Sequence, residues 1–281
     1  MEAAESSKIF MRYFEHNMNP LKYGIMVNSL FYMCGVVGRV LELLSRRNTQ
    51  PGMLWCTPNG VDTWSCSKIH RGIVCCGKNL QELRDQNSAD PGVVVVLCSG
   101  ILLPVVELGI LYAGMIIAPL ELRDPRLHLQ LDDLQPALLV VESIQDREIL
   151  KTRWEASNDR VILLASELCQ SKDFDLVSDT CAVIEDENAL SHIIFTSGST
   201  GRPKGCLGTH KALELYCNEK NRVHSINEAS VCFVGSSHVF DPSVSDFCAT
   251  WMAGATLARG ENSFMFSNLV DCLRITKASH I

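Results

Sequence analysis

One alternation constrains the fold more than any other feature of this chain. Short apolar runs rich in β-branched residues lie at 93–98 (VVVVLC), 115–120 (MIIAPL), 137–143 (ALLVVES), 160–165 (RVILLA), 190–197 (LSHIIFTS), 230–237 (SVCFVGSS) and 255–260 (ATLARG). Segments with apolar residues at helical spacing fall between many of them, at 70–85, 101–114, 124–134, 209–220 and 242–254. Apolar runs of this length read as strands buried on both faces, and the helices between them supply the crossovers that parallel strands need. Such crossovers are right-handed, so the reading is an α/β fold: a doubly wound, mainly parallel sheet of βαβ units. A further strand is predicted at 61–69 (VDTWSCSKI), and a helix ahead of it ends near Arg46. Loop signals stand at 50–52 and 58–60.

Composition narrows the classes. A length of 281 residues suits one large domain or two modest ones, and 47% apolar with 20% charged residues excludes a disordered chain. Acidic residues number 32 against 25 Lys and Arg, a net charge of -7, which argues against nucleic acid as the partner. The 13 cysteines are odd in number and scattered, with Cys75 and Cys76 adjacent. They read as free buried thiols of a reducing compartment; the alternatives are a secreted disulfide framework or a metal site. Residues 1–20 are polar and end at Pro20, a weakly ordered lead-in. The apolar stretch 23–38 is shorter than the ~20 residues that span a bilayer and carries Asn28 and Ser29, so it reads as a buried helix. Glu2, Glu5 and Glu15 make the start unlike a signal peptide. The expectation is a cytoplasmic protein without a membrane partner.

Chemistry concentrates in 191–205, SHIIFTSGSTGRPKG. A strand runs into Thr196, Ser197, Gly198, Ser199, Thr200 and Gly201, and the loop closes with Arg202, Pro203, Lys204 and Gly205. Glycines allow close approach of backbone amides to an anion, the hydroxyls add donors, and Lys204 adds a point charge suited to phosphate. The loop is not a Walker A motif, because Pro203 precedes the lysine and Gly205 follows it. Nor does it have the spacing of a nucleophile elbow.

TSGSTGRPKG resembles the phosphate-loop signature of the adenylate-forming (AMP-binding) enzymes: acyl-CoA synthetases, luciferases and the adenylation domains of nonribosomal peptide synthetases. Upstream, LGILYAGMIIAPL resembles the family's Leu-Lys-Ala-Gly-x-Ala-Tyr-Val-Pro motif through Leu111, Ala113, Gly114 and Pro119, with Tyr112 replacing the lysine. Downstream, HVFDPSVSDFCATWMAGATL is similar to the Phe-Asp-x-Ser stretch of peptide-synthetase adenylation domains through Phe240, Asp241, Ser243, Val244, Gly254, Ala255 and Leu257. By that resemblance Asp241 pairs with the substrate's α-ammonium group, and Phe240, Pro242 and Ser245 line the substrate site. The alternative reading of Asp241 is a helix N-cap. His238 reads as a polar residue ending a strand, and His210 as a structural residue at a helix start.

The resemblance implies ATP-dependent activation of a carboxylate, an amino acid, to an acyl-adenylate. The adenylate then passes to a thiol, CoA or the phosphopantetheine of a carrier protein. Lys204 is the catalytic candidate, and Thr196, Ser197, Gly198, Ser199, Thr200, Gly201 and Lys204 bind the ATP phosphates. No metal ligand is assigned; the family's glutamate for Mg²⁺, its ribose-binding aspartate and its small C-terminal domain are not found in these residues. Residues 1–35 are therefore expected to be a lead-in and helix, and 36–281 the front part of an adenylation domain that does not complete the reaction. Two alternatives stay open: an acyl- or aryl-CoA ligase, and a truncated, non-catalytic nucleotide-binding or interaction module.

Overall fold

The computed structural model describes residues 35–87, 92–153, 161–170, 188–197 and 202–281. The expected lead-in and most of the apolar stretch 23–38 lie outside the described residues. In chain order the first elements are α1 (Val36–Arg47), β1 (Pro51–Thr57), β2 (Gly60–Ser65), α2 (Cys66–Asn87), β3 (Val93–Val96), α3 (Leu103–Tyr112), β4 (Ile116–Pro119) and α4 (Leu127–Leu134). Then follow β5 (Leu138–Val141), α5 (Ile144–Arg153), β6 (Val161–Leu164), α6 (Ala165–Leu168), β7 (Leu190–Thr196) and β8 (Lys204–Thr209). The last are α7 (His210–His224), β9 (Val231–Phe233), α8 (Asp241–Met252), β10 (Thr256–Gly260), α9 (Asn262–Ser267) and α10 (Leu269–Thr276).

The α/β class and the parallel βαβ units are as expected, but the strands divide between two sheets. One has the order β2-β1-β10-β9, the other β6-β5-β3-β4-β7-β8. In the larger sheet β6, β5, β3, β4 and β7 all pair in parallel, and only β8 runs antiparallel, against β7. In the smaller sheet β1, β10 and β9 are parallel and β2 is antiparallel.

One hydrophobic core joins the two sheets. Met53, Trp55 and Leu257 of the smaller sheet and Val94, Val96, Ile117, Leu138 and Val140 of the larger one belong to the same buried cluster as residues of α1, α2, α3 and α8. Every residue of α3 is buried. A helix that is apolar on all sides must be covered on all sides. Polar side chains tie α8 to the smaller sheet, where Trp251 Nε1 donates to Gly52 O at 3.0 Å.

The strand β1 was hidden in the sequence by its opening Pro-Gly pair, which reads as a turn; as the first residue of a strand a proline forfeits little. Residues 66–69, read as strand, are the first turn of α2. After α10, His280 forms an isolated parallel bridge with Cys232 of β9.

Where α2 and α3 cross, a Cβ added to Gly77 would stand 2.1 Å from Cδ1 of Tyr112. Tyr112, which replaces the resembled family's lysine, is thus accommodated by a glycine. Gly77→Ala is expected to destabilise the fold by about 1–3 kcal/mol through overpacking, despite alanine's better helix propensity. Urea unfolding checks this; unchanged stability would show that the ring shifts freely.

Candidate active site

The described residues of the phosphate-loop motif lie at the end of β7 and the start of β8. Strand β7 ends at Thr196, and Lys204 lies opposite it as the first residue of β8. Strand β8 was not expected, because KGCLGT has two glycines and no buried face; its pairing with β7 supplies what its own sequence lacks. Thr196 Oγ1 donates to Lys204 O at 3.4 Å, closing the neck of the loop. Thr196, Ser197 and Lys204 are exposed, as an anion-binding group must be before its ligand arrives. Gly198, Ser199, Thr200 and Gly201 lie outside the described residues. Arg202 forms an ion pair with Asp133 at the end of α4, which fixes the closing side of the loop.

Asp241 opens α8. The cap position is Phe240, which has no side-chain oxygen to offer, so the N-cap reading of Asp241 is not realised. A carboxylate in the first turn still suits the helix dipole. Its Oδ1 lies 3.1 Å from Nε2 of His192 in β7, across the join between α8 and the larger sheet. His192 lies four residues before Thr196 on the same strand, hence on the same face and roughly 13 Å away at ~3.3 Å per residue. The start of α8 therefore meets β7 on the face that Thr196 shares. Phe240 and Pro242 are exposed beside Asp241; Ser245, one turn further along α8, is buried, and its carbonyl accepts from Cys217 Sγ at 3.6 Å.

The loop that presents Asp241 is held from below by a residue the sequence reading did not select. Arg259, at the end of β10, is fully buried. Its Nη1 donates to Val234 O at 3.0 Å and Ser236 O at 2.8 Å, and its Nη2 to Asn262 Oδ1 at 3.2 Å. The guanidinium lies 5.6 Å from the centre of the Phe247 ring of α8. Burial pushes it down to about 10. Glu107 of α3, in electrostatic contact with Arg259, is also fully buried, and neither carboxyl oxygen has a hydrogen-bond partner. Burial pushes it up to about 8, so it is a neutral acid at pH 7.

His238 is buried and its Nε2 lies 3.2 Å from Leu120 O, just past β4, so it ties the smaller sheet's loop to the larger sheet. His210 is the buried first residue of α7, whose cap is Thr209, accepting from Ala212 N at 3.2 Å. Arg259 and Glu107 share one signal that could have found them: a charged residue interrupting an otherwise apolar run.

The described cysteines are free thiols, most of them buried, and among the described residues no group of His, Cys, Asp or Glu could hold a metal ion. No described helix is long and apolar enough to cross a membrane.

Residues 46–281 match the sequence pattern of the AMP-binding enzyme family. The chain belongs to that family. It is 32% identical over 202 residues to nonribosomal peptide synthetase 30 of Fusarium vanettenii, covering 71% of this chain and 3% of that protein. It is 28% identical over 196 residues to nonribosomal peptide synthetase ungA' of Aspergillus campestris, covering 68% of this chain and 2% of the relative. The AMP-binding chain thus spans only a few per cent of these relatives' length. The fold matches that of VinN in complex with L-aspartate, with a TM-score of 0.68 at 19% identity, over 89% of this chain and 67% of VinN. It also matches the AMPPNP-bound form of the peptide synthetase FmoA3, with a TM-score of 0.63 at 19% identity, over 80% of this chain and 22% of that one.

Proposed function

We propose that this chain carries the phosphate-loop and substrate-anchoring parts of an amino-acid-activating adenylation domain. The observation that supports the reading is the contact of His192 with Asp241, which sets an exposed carboxylate against the strand that leads into the phosphate loop. ATP is the co-substrate. The amino-acid carboxylate attacks the α-phosphorus, the bond to the leaving oxygen breaks, and pyrophosphate departs. The residues of the 196–204 motif hold and neutralise the triphosphate, with Lys204 its main charge, so positioning and electrostatics do the catalysis. Asp241 binds the substrate ammonium, and Phe240, Pro242 and Ser245 shape the pocket beside it. The adenylate is then passed to a thiol, CoA or a carrier-protein phosphopantetheine. Mg²⁺ would accompany the triphosphate; among the described residues no group of three or more His, Cys, Asp or Glu could hold it.

A carboxylate at position 241 favours an amino acid over the fatty or aryl acid of a CoA-ligase reading. The test is ligand binding by the 281-residue chain. ATP should bind, and Lys204→Ala should weaken it about ten- to a hundredfold while leaving amino-acid binding unchanged. Equal ATP affinity in the two proteins would remove Lys204 from the site.

A further inference from the structure

The larger sheet carries a buried imidazole that the proposed reaction leaves without a role. His192 is 7% exposed in β7, between the buried Ser191 and the buried Ile193 and Ile194. It lies directly opposite Gly208 of β8, and a Cβ at Gly208 would stand 2.3 Å from two of its ring atoms. The ring thus occupies the space that any other residue at 208 would need. Both ring nitrogens are engaged: Nδ1 lies 2.9 Å from Ser191 Oγ and Nε2 lies 3.1 Å from Asp241 Oδ1. Ser191 Oγ in turn is 3.2 Å from Gly208 O. The Asp241 side chain is 67% exposed, so its carboxylate keeps an open side for a second partner.

We propose that His192 is a positioning residue for amine recognition: seated on Gly208 and steadied by Ser191, it holds one oxygen of the Asp241 carboxylate and leaves the other for the substrate ammonium. This role rests on the reading of Asp241 as the ammonium anchor. The charged side chain facing the ring is Asp241 of α8; Ser191 and Gly208 face it from β7 and β8. Tyr216, on α7, is a further titratable group in electrostatic contact with Asp241. In the neutral ring Nε2–H donates to the carboxylate, Nδ1 is an acceptor, and the single Ser191 hydroxyl proton serves either Nδ1 or Gly208 O; Asp241 keeps its full charge for an ammonium. A protonated ring would neutralise that charge and compete with the substrate. Burial pushes His192 below its ordinary value against the pull of Asp241, which favours the neutral form at pH 7. Amine affinity should therefore hold at neutral pH and weaken as the ring protonates below about 6.5.

The test follows the imidazole resonances of His192 by NMR, in wild type and Asp241→Asn. Each is titrated with pH and with two probes: a mixture of the standard L-amino acids and the matching des-amino acids. Asp241→Asn should lower the His192 midpoint by about one pH unit. His192→Phe should weaken amino-acid binding about tenfold with ATP binding unchanged, and His192→Gln, which keeps an N–H donor, should recover most of the loss. Gly208→Ala, which displaces the ring without removing it, should act in the same direction as His192→Phe. An unmoved midpoint in Asp241→Asn, or wild-type affinity in a folded His192→Phe, overturns the positioning role. If the midpoint moves but amino acids and des-amino acids perturb the ring alike, the pair stands and the reading of Asp241 as ammonium anchor falls, taking this role with it.

Discussion

Asp241→Asn is expected to weaken amino-acid binding about ten- to a hundredfold while leaving ATP binding within about a factor of three. The argument starts from charge. An ammonium bound by a carboxylate makes a charge-assisted hydrogen bond, worth about 1.5–3 kcal/mol net, and asparagine retains the shape but not the charge. The substitution is sterically mild, and the side chain is 67% exposed, so the fold should be unaffected. Isothermal titration with amino acids and with ATP, each against both proteins, reads the two effects separately. Equal losses for amino acids and for acids lacking the amine would show that Asp241 acts on something other than the ammonium.

The second large effect concerns stability and its pH dependence. Glu107 is fully buried, with an ordinary value of 4.5 pushed up to about 8. Between those two pH values the folded state holds a proton that the unfolded state has released. Stability therefore falls as pH rises from about 4.5 to about 8 and levels off above. Glu107→Gln removes the ionisation while keeping the shape. Near pH 5 the variant should match the wild type. At pH 8.5 it should be more stable by on the order of 2–5 kcal/mol, which raises Tm by roughly 5–15 °C for a domain of this size. Thermal melts at the two pH values check this. Parallel profiles would show that Glu107 is ionised in the fold and matched by Arg259.

Much of the fold was legible from local pattern. The runs at 93–98, 115–120 and 137–143 are strands because a β-branched apolar run at that length can be buried on both faces, and each contains a strand of the larger sheet. What escaped was whatever depends on a partner. Strand β1 begins with Pro51-Gly52 and reads as a turn until β2 and β10 flank it. Strand β8 contains Gly205 and Gly208 and has no apolar face; only its register against β7 makes it a strand. The site divides the same way. The loop at 196–204 and the helix start at Asp241 stand out locally, through small residues, a lysine and an Asp-Pro-Ser string. His192, beside Ser191 in a short strand, carries no local sign of the residue it meets. The partner, Asp241, is 49 residues further along the chain.

The sequence by itself determined the α/β class, the alternation of strands and helices, the phosphate-loop string and the carboxylate that opens α8. These depend on side-chain periodicity and on short-range backbone chemistry, which a linear chain displays. Only the tertiary structure decided that the strands form two sheets around shared helices, that Gly208 lies under His192, and that His192 reaches Asp241. It also buried Glu107 and Arg259 without direct pairing to one another in the core. Those facts depend on strand register and on which helix faces meet, contacts whose energy is set by residues far apart in the chain and so is absent from any local window.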